Sequence, residues 1–180
     1  MVAAAPRRSP TANLDDLARL SCTELADLYA QGAEPVDLRL LDGQPLGRML
    51  AVDRLDRGRP AALLRRLAAA DRFPWGGKSF KADQTRRGRG INRVRLGGRH
   101  QLFPFETAIG PSAVDGRPCV RLDYDLPVNP GFIRAIHDEV RAIDTGLYLG
   151  PAMLKRADGP RRVLWFALDT TIQAPRPMWG

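Results

Sequence analysis

Trp75-Gly76-Gly77-Lys78-Ser79-Phe80-Lys81 opens the half of the chain whose reading decides the fold. Residues 91–96, 102–107, 118–124, 146–154 and 161–168 follow it at near-regular spacing, each bounded by Gly, Pro, Asn or Asp, the usual punctuation of strands. Short strands in such succession predict a sandwich or a barrel. Among these strands only residues 130–143 read as a helix, with Asn129 as its cap and Pro130 in its first turn. Its apolar stripe is Phe132, Ile133, Ile136, Val140 and Ile143, which leaves Arg134, Asp138, Glu139 and Arg141 largely outside. The expectation is a mainly β protein, an antiparallel β-barrel closed at one end by a single helix before its last two strands.

Strand alternation then sorts side chains into wall and interior. In the opening stretch Trp75, Gly77 and Ser79 face one way and Gly76, Lys78 and Phe80 the other, unless the glycines introduce a bulge that resets the register. Inside an apolar barrel Lys78 would lose hydration and basicity, making it a base or an anchor for an anionic ligand; on the surface it is an ordinary snorkelling lysine. Asn92 falls among apolar neighbours while Arg93 and Arg95 point out. Phe103 and Phe105 share the core face and Glu106 points outward, though a slip at Pro104 would turn it inward. Val120, Leu122 and Tyr124 form one face of their strand. Tyr148, Gly150 and Ala152 leave space if they face inward; Leu147 and Leu149 fill it if they do. Trp165 and Phe166 lie on opposite faces of the last strand, both apolar and both covered.

At 180 residues and 44% hydrophobic content the chain has enough material for one domain. No run reaches the ~18 apolar residues of a membrane-spanning helix, and residues 1–10 lack a secretory apolar stretch; the expected location is cytoplasmic. Cys22 and Cys119 match no metal or redox spacing and read as reduced thiols. The formal charge of +8 raises nucleic acid as a partner. Its densest patch is Lys78, Lys81, Arg86, Arg87, Arg89, Arg93, Arg95 and Arg99, and no aromatic residues are interleaved there to stack bases. A solvated face is the better reading, and nucleic acid is not the expected partner. His100 and His137 are too few for a metal cluster, and His137 with Asp138 beside it forms no dyad on a helix. No cofactor or metal is expected.

The N-terminal third is organised around helices. Residues 1–13 look like a disordered lead, and Ser21-Cys22-Thr23-Glu24 fits a capping box. Leu25, Leu28 and Tyr29 give the helix that follows an apolar face, with Gly32 ending it in a left-handed conformation. Val36, Leu38 and Leu40, the Asp42-Gly43 turn, and Leu46 and Leu50 suggest a hairpin feeding the barrel. Residues 61–70 form a second helix, lying as a lid across one mouth or covering an edge strand. The expected division is a lead to residue 13, helices and hairpin over 14–72, the barrel over 73–169 and a loose tail over 170–180.

The succession Leu46-Gly47-Arg48, Trp75-Gly76-Gly77-Lys78-Ser79-Phe80, Asp115-Gly116-Arg117-Pro118, Tyr124-Asp125 and Leu149-Gly150 resembles bacterial lipocalin-like (calycin-type) proteins of the GXWXG kind. The resemblance spans residues 46–169, but Met49 stands where the naming motif has Trp. It implies a lipocalin-like barrel and carries no catalytic residue with it.

The functional expectation is a barrel cavity that binds a small, largely apolar molecule, with Trp75, Lys78, Asn92, Phe103, Phe105, Tyr124, Tyr148 and Trp165 as candidate ligand-binding residues. The first alternative is a cofactor-independent cyclase, isomerase or lyase in the same cavity, with Tyr124 or Tyr148 as acid and Lys78 or Glu106 as base. A basic nucleic-acid-binding module is the second. A homodimer is compatible with each.

Overall fold

A computed structural model describes residues 12–173 apart from 54, 57, 71 and 72. Eight strands close into one antiparallel barrel in which each strand pairs with its neighbours in sequence and the first meets the last. They are β1 (Pro45–Val52), β2 (Trp75–Gln84), β3 (Arg87–Arg95), β4 (Arg99–Pro111), β5 (Pro118–Asp123), β6 (Ile136–Asp144), β7 (Leu147–Leu154) and β8 (Arg161–Gln173). The helices are α1 (Leu14–Leu17), α2 (Cys22–Gln31), α3 (Gly58–Ala69) and α4 (Gly131–Arg134). None is long and apolar enough to cross a membrane.

The helix expected over residues 130–143 is corrected. One turn, α4, forms after Pro130, and the chain then enters β6, so this helix precedes three strands rather than two. Ile136 and Val140 are spaced compatibly with either period, and the charges between them decide the matter. A strand turns Ile136, Asp138, Val140 and Ala142 inward, while His137, Glu139 and Arg141 point out beneath α2 and the 112–118 loop. Asp138, Glu139 and Arg141 are therefore buried, not solvent-facing, and so is His137. Asn129 does not cap; its side-chain amide donates to the carbonyls of Pro104 (2.8 Å) and Tyr124 (2.9 Å).

The barrel is covered on two sides. Its interior is packed by Phe80, Phe105, Val120, Leu122, Tyr148 and Phe166, and the end nearest Tyr148 is closed by a 3-10 turn (Leu38–Leu41) that inserts Leu38 and Leu41. That turn replaces the first arm of the expected hairpin; the second arm is β1, a full barrel strand. Outside, α1 and α2 lay Leu14, Leu17, Leu25 and Tyr29 on Leu149, Trp165 and Ala167 of β7 and β8. Asn13, within the expected lead, caps α1 through bonds from the amides of Asp15 and Asp16. Ser21 and Glu24 form the expected capping box of α2. Gly32 is not left-handed (φ −57°); glycine is needed because a Cβ would lie 2.9 Å from that of Arg141. Strand β8 continues to Gln173, beyond the expected start of the tail.

Closure between β1 and β2 is narrow. Their ladder registers at Leu46 opposite Gly77, and a Cβ on Gly47 would sit 2.3 Å from the Gly77 Cα. Arg93, expected outside, is fully buried here: its guanidinium donates to the carbonyls of Gln44 (2.8 Å), Pro45 and Gly76 (3.0 Å). It supplies donors where the ladder has few. Helix α3 packs against β1, and residues 68–70 reach the same seam beside Gly47 and Trp75.

Candidate functional site

A bulge puts the site together. Trp75 pairs with Val94 and Gly77 with Arg93, so Gly76 is the extra residue and the register resets. Trp75 and Lys78, which strict alternation would separate, now share the interior with Asn92 across the ladder. A second irregularity follows on β4: Ile91 pairs with Pro104 and Asn92 with Leu102, leaving Phe103 between them at φ 60°. A left-handed phenylalanine costs about 1–3 kcal/mol. In this conformation the Phe103 carbonyl accepts a hydrogen bond from the Asn92 amide (3.2 Å), and Phe103 lines the interior.

The interior holds a cavity of about 300 Å³ toward the end where β2, β6 and β8 begin. Its walls are apolar (Met49, Phe73, Val94, Ile133, Leu164 and Phe166 among them) apart from one cluster. Lys78 donates to Asn92 Oδ1 at 2.9 Å, to the Tyr124 hydroxyl at 2.5 Å and to Asp138 Oδ2 at 2.8 Å. The Tyr124 hydroxyl donates in turn to Asp138 Oδ2 (3.0 Å), and the Trp75 indole donates to Asn92 Oδ1 (3.1 Å). Four rings surround the ammonium, Trp75, Phe105, Tyr124 and Phe166, with centroids 5.1 to 5.5 Å from Nζ. Burial pushes the Lys78 ammonium below the ordinary lysine range, and Asp138 pulls it partly back. Burial, reinforced by the Asp138 charge, pushes the Tyr124 phenol well above its usual value. Asp138 Oδ1 is buried and has no hydrogen-bond partner.

The structure brings Trp75, Lys78, Asn92, Phe103 and Tyr124 together around this cavity. Phe105 packs just behind it, against Phe80 and Tyr124. Tyr148 faces the interior at the closed end, among Leu41, Val120 and Val140, away from the cluster. Trp165 is a correction: it lies on the outer face against Tyr29, at 5.6 Å between ring centroids, and Phe166 takes its place on the cavity wall. Glu106 is exposed on the outer wall beside Arg87, Arg89 and Arg121. Asp138 is the residue the helical reading hid; period-two alternation through Ile136 and Val140 would have turned it inward.

A second buried polar cluster lies outside the barrel wall. Glu139 accepts from the Tyr29 hydroxyl (2.9 Å), the Ser112 hydroxyl (2.5 Å) and the Ala113 amide (2.7 Å), and pairs with His137 Nε2 (2.8 Å). Burial alone would raise its carboxyl, but bonds from His137, Ala113, Ser112 and Tyr29 outweigh that and hold it below the usual range. Arg141 clamps Asp115 through two bonds of 2.6 Å and lies 4.4 Å from the Tyr29 ring. These contacts fasten α2 and the 112–118 loop to β6, and none of their residues lines the cavity that holds Lys78. Among the described residues no group of His, Cys, Asp and Glu is placed to hold a metal ion. The basic patch is thinner than its sequence, since Lys78 and Arg93 are buried, and Asp83 neutralises part of it at Arg89 (3.7 Å).

No family model and no curated protein sequence matches the chain. A solved structure of a protein from Thermomonospora curvata is similar, with a TM-score of 0.50 over 87% of this chain and 89% of that one, at 15% identity. The likeness is one of fold.

Proposed function

We propose that the protein binds a small, largely apolar molecule in the barrel cavity, as a calycin-like barrel would. The observation that carries this reading is the shape and chemistry of the space: about 300 Å³ inside a closed barrel, apolar on nearly every wall, with one polar cluster in which the Lys78 ammonium is bonded to Asn92, Tyr124 and Asp138. Native mass spectrometry of freshly purified protein, followed by denaturation and identification of what is released, tests it. A stoichiometric small apolar molecule is the expected result. A protein that is empty and takes up no apolar probe would overturn it.

The ion pair favours one further reading, a cofactor-independent isomerase, cyclase or lyase. An acid and a base side by side in a desolvated site are what proton transfer on a bound ligand requires. Tyr148 and Glu106 lie away from the cavity, which leaves Tyr124, Lys78 and Asp138 for the chemistry. Tyr124→Phe separates the two: a carrier keeps its ligand, an enzyme retains binding and loses turnover.

A further inference from the structure

We infer that the cavity end of the barrel is a docking surface for an anionic lipid bilayer. Consecutive strands run antiparallel around the whole barrel, so the connections β1–β2, β3–β4, β5–β6 and β7–β8 all lie at one end. That end holds the cavity, and Phe73 and Ile133 line it from within two of these connections. The same connections carry Leu55, Leu63, Leu67, Leu96, Val128 and Phe132 exposed to water, Phe132 at 71% and Val128 at 73%. Single exposed apolar side chains are ordinary, but six gathered at one end, around a cavity, mark a surface that something covers. On α3 the pattern is explicit: Ala61 is buried, while Leu63 and Leu67, one turn apart, are exposed.

Charge selects the partner. In sequence, these four connections with the strand residue at each end hold twelve Lys and Arg against six Asp and no Glu, which is most of the chain's +8. Asp123, Asp125 and Asp158 are each answered by a cation of the same end, Lys155 (2.9 Å), Arg134 (2.6 Å) and Arg161 (2.6 Å). Arg66, Arg99 and Arg156 are exposed there, and among the described residues no carboxylate pairs with them. Apolar side chains set among arginines suit the interface of a negatively charged bilayer, where the former enter the acyl boundary and the latter meet the headgroups. A second copy of the chain would bring the same positive charge face to face. A nucleic acid would use the arginines and leave the leucines in water. Docked on lipid, the cavity lies next to the hydrocarbon in which an apolar ligand dissolves. The docking goes beyond the cavity-binding reading and does not depend on it.

Co-sedimentation of the full chain at pH 7 with vesicles of phosphatidylcholine alone, or of phosphatidylcholine and phosphatidylglycerol in equal parts, tests this. The mixed vesicles are expected to bind at least about tenfold more tightly than the neutral ones and to release protein as salt is added. The double variant Leu67→Ser with Phe132→Ser, altered only at exposed positions, should bind the mixed vesicles at least about fivefold more weakly. Val36→Ser with Leu40→Ser, exposed apolar residues outside these connections, should stay within about twofold of the unaltered chain. Failure to bind either vesicle, equal binding to both, or equal losses in the two double variants would overturn the inference. Binding to a DNA duplex with none to vesicles would overturn it as well and assign the charge to nucleic acid. The ligand found or missed by mass spectrometry is a separate readout, so the docking and the cavity reading can fail independently.

Discussion

Lys78 Nζ and Asp138 Oδ2 lie 2.8 Å apart inside the barrel, with side chains only 3% and 5% exposed. Two charges removed from water are tolerated here because each compensates the other. Removing one leaves its partner buried and unpaired, at a cost of about 3–5 kcal/mol. Lys78→Met is expected to destabilise by that amount in urea unfolding at pH 7. The double variant Lys78→Met with Asp138→Leu should lose much less than the sum of the single changes. Additive losses would show that the two charges do not depend on each other.

Glu139 is expected to contribute to the acid limit of stability. Its folded-state value lies below the ordinary 4.5, so the stability it contributes is fully present above that pH and is lost as pH falls through the folded value. Asp115, held low chiefly by the Arg141 hydrogen bond, acts in the same direction. Urea midpoints measured downward from pH 7 should hold until about pH 4.5 and then drop. In Glu139→Gln the protein should be weaker at pH 7 and its acid drop shallower. A drop of unchanged steepness would assign the acid limit to other carboxylates.

Both cysteines are free and buried, and burial pushes each thiol up to about 12. Thiolate is the reactive form, so neither should react with Ellman's reagent at pH 8 in the folded protein. Both should react promptly in urea. Rapid labelling of one thiol in buffer would mean that its cover opens readily, and Cys22, at 8% exposure against 0% for Cys119, is the one to watch.

Gly150 and Gly131 make a matched pair. A Cβ at Gly150 would lie 1.8 Å from the Glu139 carbonyl oxygen, a backbone atom that can yield only if β6 and β7 part, whereas one at Gly131 meets nothing within 4 Å. Gly150→Ala is expected to cost more than about 3 kcal/mol and Gly131→Ala to stay within about 0.5 kcal/mol. Thermal unfolding of the two variants checks the contrast, and a mild Gly150→Ala would mean the β6–β7 contact is looser than drawn.

The barrel was legible where a single period fits the residues. Strands bounded by Gly, Pro and Asp, such as the run ending in Val120, Leu122 and Tyr124, admit little besides a half-buried strand. Alternation alone also turns Asn92 and Tyr124 inward. Residues 136–143 fit two periods, and the strand wins because Glu139 and Arg141 find partners in α2 and the 112–118 loop. Those partners are distant in sequence and invisible to any local pattern. The same holds for Arg93, whose acceptors are the carbonyls of Gln44, Pro45 and Gly76. Trp165 and Phe166 show the limit in another form: both faces of β8 are apolar, and only the packing of α1 and α2 decides which is the outside.

The meeting of Gly47 and Gly77 has a consequence for how the protein behaves in company. A side chain at either position would push β1 away from β2, while the long β1–β8 ladder stays intact. The cylinder would then become a curled open sheet with two raw borders, each offering unpaired amides and carbonyls to whatever strand comes near. Gly47→Val should therefore appear first as concentration-dependent self-association, before any large loss of secondary structure. The two glycines keep the molecule a closed solute as much as they keep it folded.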